Sequence, residues 1–342
     1  MSWQERLRSD PLPWLLEVDS PGVRYLALKD LLHLSPDDPE LRTARTAAHL
    51  EGPIAAILDS MSPEGFWVSC GPGYNPKYRS SVWSICLLAQ LGASVHSDAR
   101  IGRACISLLD HSLAPGGQFS SSRAPSGTID CLQGNLSWAL VELGCDDARL
   151  ERAVEWMART VTGEGVAPKA DKRAAVRYYA YKCAPNFACG ANYNLPCAWG
   201  AAKVMLAFGR LPVSLRTPTV NAAIAQGVEF LFSTDPAGAA YPTGSGARPN
   251  QSWWKFGFPV FYVTDVLQVV EALAALGYGG DSRLANAIEL ILAKQDARGR
   301  WPLEYSYAEK TWVDFGPKRE PNKWVTLRAL RSLDLADSRP DS

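Results

Sequence analysis

The chain has 342 residues, 47% of them hydrophobic, with 35 Lys plus Arg balanced by 35 Asp plus Glu. That is enough apolar material for a sizeable core, and the neutral balance offers no basic field for nucleic acid and no acidic tail. No apolar run approaches the ~20 residues that cross a bilayer, and the opening MSWQERLRSDPLPWLLEV lacks the unbroken apolar core of a secretion signal, so a cytoplasmic protein without an integral membrane segment is expected.

From the N-terminus, PGVRYLALKDLLHL (21–34) predicts the first of a set of apolar helices. IAAILDSMSPEGFW (54–67) predicts an amphipathic helix that ends in a Gly-containing turn and an aromatic residue. The two types then alternate. YRSSVWSICLLAQLGA (78–93) precedes RACISLLDHSLAPGGQF (103–119), and CLQGNLSWALVELGC (131–145) precedes RAVEWMARTVTGEGV (152–166). PCAWGAAKVMLAFGRL (196–211) precedes QGVEFLFSTDPAGAAY (226–241), YVTDVLQVVEALAALGY (262–278) precedes NAIELILAKQDARGRW (286–301), and NKWVTLRALRSLD (322–334) ends the series. The turn aromatics recur about every fifty residues, with an insertion over about 167–197 stretching one interval. No convincing run of alternating strands appears. One amphipathic and one mostly buried helix per repeat predict an all-α fold: a closed (α/α)6 toroid of six inner and about six outer helices. It forms one domain over 1–342, with repeats from about 20 to 335. The loops ahead of the inner helices would crowd one mouth of a central cavity, where function is expected.

The segment QDARGRW (Gln295, Gly299, Trp301) matches the Q-x3-G-x-W repeat of triterpene cyclases, with GFW (65–67) and GGQF (116–119) as weaker copies. On these motifs the chain resembles the terpenoid cyclase and protein prenyltransferase α/α-toroid superfamily. The resemblance implies a cyclase, isomerase or lyase that takes a small hydrophobic or isoprenoid-like substrate. The cyclases protonate their substrate from a D-x-D-D segment, which is absent here. The acidic pairs Asp37-Asp38 and Asp146-Asp147 stand in loop contexts that suit helix caps instead. Prenyltransferases of this fold bind zinc through Asp, Cys and His. Since His33, His49, His96 and His111 fall at helix ends or on outer helices, a zinc ion here would rely mostly on cysteine.

Eight cysteines in this length are expected to be thiols or metal ligands. Cys86, Cys105 and Cys145 fall in apolar helical surroundings and are expected in the core. Cys131 and Cys197 begin consecutive inner helices, with Cys183 and Cys189 on the loop passing over them. Three readings stay open: zinc held by Cys131, Cys183, Cys189 and Cys197; working thiols, favoured as thiolates at helix N-termini; or cysteines packed in a tight Gly/Asn-rich loop. The candidate catalytic residues are Asp130, Cys131, Cys183, Cys189, Asp265 and Asp314. Asp130 and Asp265 would serve as general acids if an apolar cavity raises their pKa.

The candidate substrate-binding residues in the mouth loops are Tyr74, Tyr78, Trp83, Tyr181, Asn194, Trp253, Trp254, Phe258, Tyr262, Tyr305 and Trp312, with Tyr178 and Tyr179 nearby. Such aromatics line a pocket or simply plug the ring. Two rival functions remain: a zinc enzyme of thiolate alkylation or lyase type, and a non-catalytic toroid that holds a lipid or peptide. GPGYNP and GSGAR follow no strand and open no long helix, so no nucleotide cofactor is expected.

Overall fold

The computed structural model describes residues 3–164, 180–244 and 248–337; Tyr178 and Tyr179 lie outside them. After a 3-10 turn (Gln4–Arg6), the helices in chain order are α1 (Leu12–Leu15), α2 (Pro21–Asp30), α3 (Pro39–Leu50), α4 (Pro53–Asp59), α5 (Ser81–Gln90), α6 (Ala99–Ser112), α7 (Asp130–Glu142), α8 (Ala148–Thr162), α9 (Ala198–Arg210), α10 (Pro218–Leu231), α11 (Val266–Leu273), α12 (Ala285–Ala293) and α13 (Lys323–Asp337). Four of the outer helices start on side-chain caps. Asp38, Asp98, Asp147 and Thr217 accept backbone N–H groups at the starts of α3, α6, α8 and α10. Both acidic pairs thus supply a cap, Asp38 and Asp147.

The apolar helices α2, α5, α7, α9, α11 and α13 form the inner ring. Along it α5 packs on α7, α7 on α9, α9 on α11, α11 on α13 and α13 on α2. Tyr25 and Leu26 of α2 close the circle against Gly92, just past α5. The tightest contact lies between α7 and α9, where a Cβ on Gly134 would fall 2.3 Å from the carbonyl carbon of Lys203. Only glycine allows that approach. Outside the ring, α3 with α4, α6, α8, α10 and α12 fill the gaps between successive inner helices. The N-terminal segment covers the last gap. Trp3 Nε1 donates to Asp334 of α13 at 3.1 Å, Arg6 pairs with Glu289 of α12, and Arg8 donates to the Gln295 carbonyl at 2.8 Å. The all-α toroid follows directly from this closure.

The repeat motif is a back-anchor. Trp67, Tyr241 and Trp301 each donate a side-chain hydrogen bond of 2.7 Å to the carbonyl ten residues earlier, on Ile57, Leu231 and Ile291. Forward, the backbone N–H groups of Trp67, Phe119 and Trp301 donate to Ser81, Gln133 and Thr326 of the next inner helix. One aromatic therefore ties an outer helix to the inner helix that follows. The chain turns just before it at Gly65 and Gly299, whose φ values of 90° and 70° favour glycine.

The cysteine-rich insertion carries a short hairpin, β1 (Ala188–Cys189) paired antiparallel with β2 (Leu195–Pro196), where a loop without strands was expected. Among the described residues, no helix is long and apolar enough to cross a membrane.

Candidate functional site

At the mouth, the loops ahead of the inner helices meet in an aromatic cluster. Tyr78 stacks on Phe261 with ring centres 5.2 Å apart, Trp83 meets Phe261 edge-on at 5.4 Å, and Tyr307 packs on Tyr78 at 4.4 Å. Tyr74 and Tyr262 share a hydrogen bond between their hydroxyls, and Trp83 Nε1 donates to the Tyr74 carbonyl at 2.8 Å. Tyr305 leans on Tyr307 at 5.3 Å, and Trp312 Nε1 donates to Ser84 at 2.9 Å. Tyr74, Tyr78, Trp83, Tyr262 and Tyr305 thus pack into one cluster with Phe261 and Tyr307, and Trp312 is held beside it by Ser84. Phe258 lies apart, stacked on Trp324 at 4.7 Å.

Below this plug is a cavity of about 50 Å³ with charged side chains set in a mostly apolar lining. The sixth residue of each of five inner helices lines it: Cys86, Asn135, Lys203, Glu271 and Arg328. Arg331 and Trp138 lie half a helix turn or more deeper. Asn135 stands in the SGTIDCLQGN stretch leading into α7, whose polar residues were expected at the mouth, whereas none of Lys203, Glu271, Arg328 or Arg331 figured among the candidates above. Their signal in the sequence is a lone charge inside an otherwise apolar helix, as in AAKVML, QVVEAL and VTLRALRSL. Lys203 is 1% exposed and its Nζ has no hydrogen-bond partner among the described residues. Burial lowers its pKa to about 8.

Of the three candidate acids, two are committed elsewhere. Asp265 caps α11 in a reciprocal box with Gln268, and Arg328 grips both its carboxylate oxygens at 3.0 Å. It is an ion-pair partner and not a free acid facing an apolar cavity. Asp314 is exposed and accepts from Gly316 N–H at 3.3 Å, which takes it out of any enclosed site. Asp130 remains. It is 3% exposed, Cys183 Sγ donates to its Oδ1 at 2.6 Å, and its Oδ2 has no partner among the described residues. Burial pushes its pKa up to about 8, against the Cys183 hydrogen bond that lowers it, so the carboxyl is mostly neutral at pH 7.

The loop that ends at α9 folds back over Asp130. Asp130 N–H donates to the Lys182 carbonyl at 3.2 Å, and Cys197 N–H donates to the Phe187 carbonyl at 2.9 Å. Cys189 and Cys197 hydrogen-bond to each other. The Cys197 thiol as donor is the main cause that draws the Cys189 pKa down to about 6; the Ala191 and Asn192 backbone and the Lys182 charge add to it, and partial burial opposes it. Cys197, the donor of the pair, is held well above the ordinary thiol range by that bond and by burial. Cys131, in the same neighbourhood, is pushed up to about 12 by burial. Neither Cys197 nor Cys131 is thus a thiolate, despite standing at a helix N-terminus.

These thiols do not form a ligand set. Cys183 is engaged with Asp130 and Cys189 with Cys197, and among the described residues no three His, Cys, Asp or Glu side chains come together as a metal site. The residues as placed do not fit zinc. Elsewhere, Cys86 and Cys105 are buried as expected, whereas Cys145, also expected in the core, is only half-buried at the end of its helix and hydrogen-bonds Cys105. Cys70 is exposed, 3.4 Å from His111 Nε2, which links this outer-helix histidine to a mouth loop.

Cys189 and Cys197 form the floor of a pocket of about 350 Å³ walled by Tyr193, Trp199, Tyr241 and Trp253, with Arg248 at its side. Trp253 is fixed by its Nε1 donating to the Pro236 carbonyl at 2.8 Å, and Trp254 by its own bond to Ala237 at 2.7 Å. Two residues expected at the mouth belong to this loop instead. Tyr181 is exposed and donates to the Gly190 carbonyl at 2.8 Å; Asn194, at φ 63°, turns the hairpin and donates its N–H to the Cys189 carbonyl at 2.9 Å. The structure therefore separates the candidates into an aromatic plug on the ring axis and a thiol site beside it.

No family model and no curated protein matches the chain. Among solved structures, it is similar to the type II terpene cyclase MstE from Scytonema, at 15% identity over 86% of this chain and 97% of that one, with a TM-score of 0.31. A variant of that enzyme in complex with geranylgeranyl dihydroxybenzoate, its substrate, aligns at 14% identity over the same shares, with a TM-score of 0.32. Similarity at that level adds nothing to the helical ring described above.

Proposed function

We propose that the chain is an enzyme of metal-free acid–base chemistry, of isomerase, lyase or cyclase type, acting on a small hydrophobic or isoprenoid-like substrate in the pocket over Cys189. The observation that carries this reading is the pairing of Cys189 with Cys197 on the floor of an aromatic-walled pocket of about 350 Å³. A thiolate there is a base at neutral pH, facing walls that suit an apolar guest. Asp130, outside the pocket lining but neutral and close enough for its pKa to feel the charge on Cys189, is the proton reserve for that site, with Cys183 holding its carboxyl in place. The aromatic walls favour positive charge that develops on the substrate.

Deuterium exchange tests it. Incubating the protein in D2O with a panel of ten- to fifteen-carbon isoprenoid alcohols should place deuterium in at least one of them, and Cys189→Ser should abolish the exchange. Iodoacetamide labelling followed by peptide mapping gives the second readout, with Cys189 half-maximal near pH 6. Labelling of Cys189 at an ordinary thiol pKa of about 8.5, with no exchange into any alcohol, would overturn the proposal.

A further inference from the structure

The cavity beneath the aromatic plug holds the one feature of the ring interior that the acid–base reading does not use. Two other cations of its lining, and Arg210 beside the lining residue Glu271, have carboxylates of their own. Arg328 grips Asp265, Arg331 reaches Asp30 at 3.2 Å, and Arg210 reaches Glu142 at 2.9 Å and Glu271 at 3.6 Å. Lys203 has no carboxylate within ion-pair distance among the described residues, and its Nζ has no acceptor. The indole Nε1 of Trp138, on the neighbouring α7, is a second buried donor without an acceptor. Both residues line the same cavity of about 50 Å³. Two buried donors on the lining of one cavity, one bearing a full charge, lack what each needs most: an acceptor, and for the lysine a negative one.

We propose that this cavity binds a small monovalent anion, a halide or a carboxylate of formate size, with Lys203 as its counter-charge and Trp138 as the second donor. The charge follows from the pairing above once Lys29, which shares Asp30 at 3.6 Å, is included: five cations (Arg328, Arg331, Arg210, Lys29 and Lys203) meet four carboxylates (Asp265, Asp30, Glu142 and Glu271), so one positive charge is left over and a dianion would bury a net negative charge. The size follows from the volume, since a water molecule takes roughly 30 Å³ and the cavity has room for one or two groups of that size. The route follows from shared walls. Trp138 and Arg331 also line a pocket of about 210 Å³ beside Tyr25, Lys29 and Glu142, toward the C-terminal ends of the inner helices. An anion reaches Lys203 from that side, without passing the aromatic plug. The proposal is independent of the chemistry at Cys189.

Isothermal titration calorimetry of the full chain with sodium chloride and with sodium formate, in a buffer free of other small anions, tests it. The expected result is one site per chain for at least one of the two. Chloride alone marks a halide site; formate, with or without chloride, marks a carboxylate site. Lys203→Met should abolish the heat, and Trp138→Phe should weaken binding about tenfold, the size of one hydrogen bond to a charged group. Trp138→Phe keeps the ring shape and serves if Lys203→Met does not fold. No saturation by either anion in the wild type would overturn the proposal, as would unchanged affinity in both variants.

Discussion

Replacing Lys203 by methionine keeps an unbranched side chain of similar length and removes its charge, and the structure sets the size of the effect. Burial is the main cause that lowers the ammonium pKa from 10.5 to about 8; Arg328 acts in the same direction, while Cys131, Asp265 and Cys86 act against it. A difference of roughly 2.5 units at about 1.36 kcal/mol each is a penalty of about 3 kcal/mol on the folded state whenever the amine is charged. The unfolded chain holds the proton up to pH 10.5, and the folded chain releases it near pH 8. Wild-type stability from this group is therefore lowest below pH 8 and rises toward pH 10.5. In anion-free buffer at pH 7, Lys203→Met is expected to be more stable than the wild type by up to about 3 kcal/mol. In a domain of this length that is about 4 °C in Tm. Urea denaturation of both proteins from pH 7 to 10 reads the gap, which should shrink as pH rises. A variant less stable than the wild type at pH 7, or a gap indifferent to pH, would refute the reasoning.

Asp130→Asn has a different pH signature. The folded pKa is raised from 3.8 to about 8, so the wild type loses stability as pH rises between those values; the asparagine variant does not, and its advantage in urea midpoint should grow over that range and then stay level. Arg328→Met strands Asp265, whose side chain is 2% exposed, and should cost about 3–5 kcal/mol; adding Asp265→Asn should recover more than half of it, measured as a double-mutant cycle. Gly134→Ala gains up to about 1 kcal/mol in helix propensity but must push α7 from the α9 backbone. Overpacking of about 1–3 kcal/mol or more prevails, and calorimetric Tm should fall by about 3 °C.

The ring was legible in the sequence because its two periodicities are both local: helical spacing within each segment, and a Gly-aromatic turn about every fifty residues between them. Trp67 and Trp301 show why the motif repeats, since each anchors the helix before it and the helix after it. The loop aromatics were legible as a group but not as individuals. Whether Tyr74 faces a ligand or Tyr262 depends on how two loops 188 residues apart meet. The acids divide for the same reason. Asp265 looked free because its partner, Arg328, is 63 residues away on another helix, whereas Asp130 stays buried because a later loop covers it. The polar layer around Lys203 exists only when five helices bring their sixth residues to one height, so each charge on its own read as an isolated departure from an apolar face.

The contacts of Trp3, Arg6 and Arg8 with α12, α13 and Gln295 have a consequence for how such proteins change over evolutionary time. An open solenoid can gain or lose a unit at either end and remain a solenoid. Here the first residues and the last helix must meet, so deleting one helical hairpin would leave a gap that no side chain spans, and adding one would force the seam apart. The unit count is fixed by closure, while each loop stays free to lengthen. The residue 180–197 loop, with its hairpin and thiols, shows where such a chain has room to acquire new chemistry.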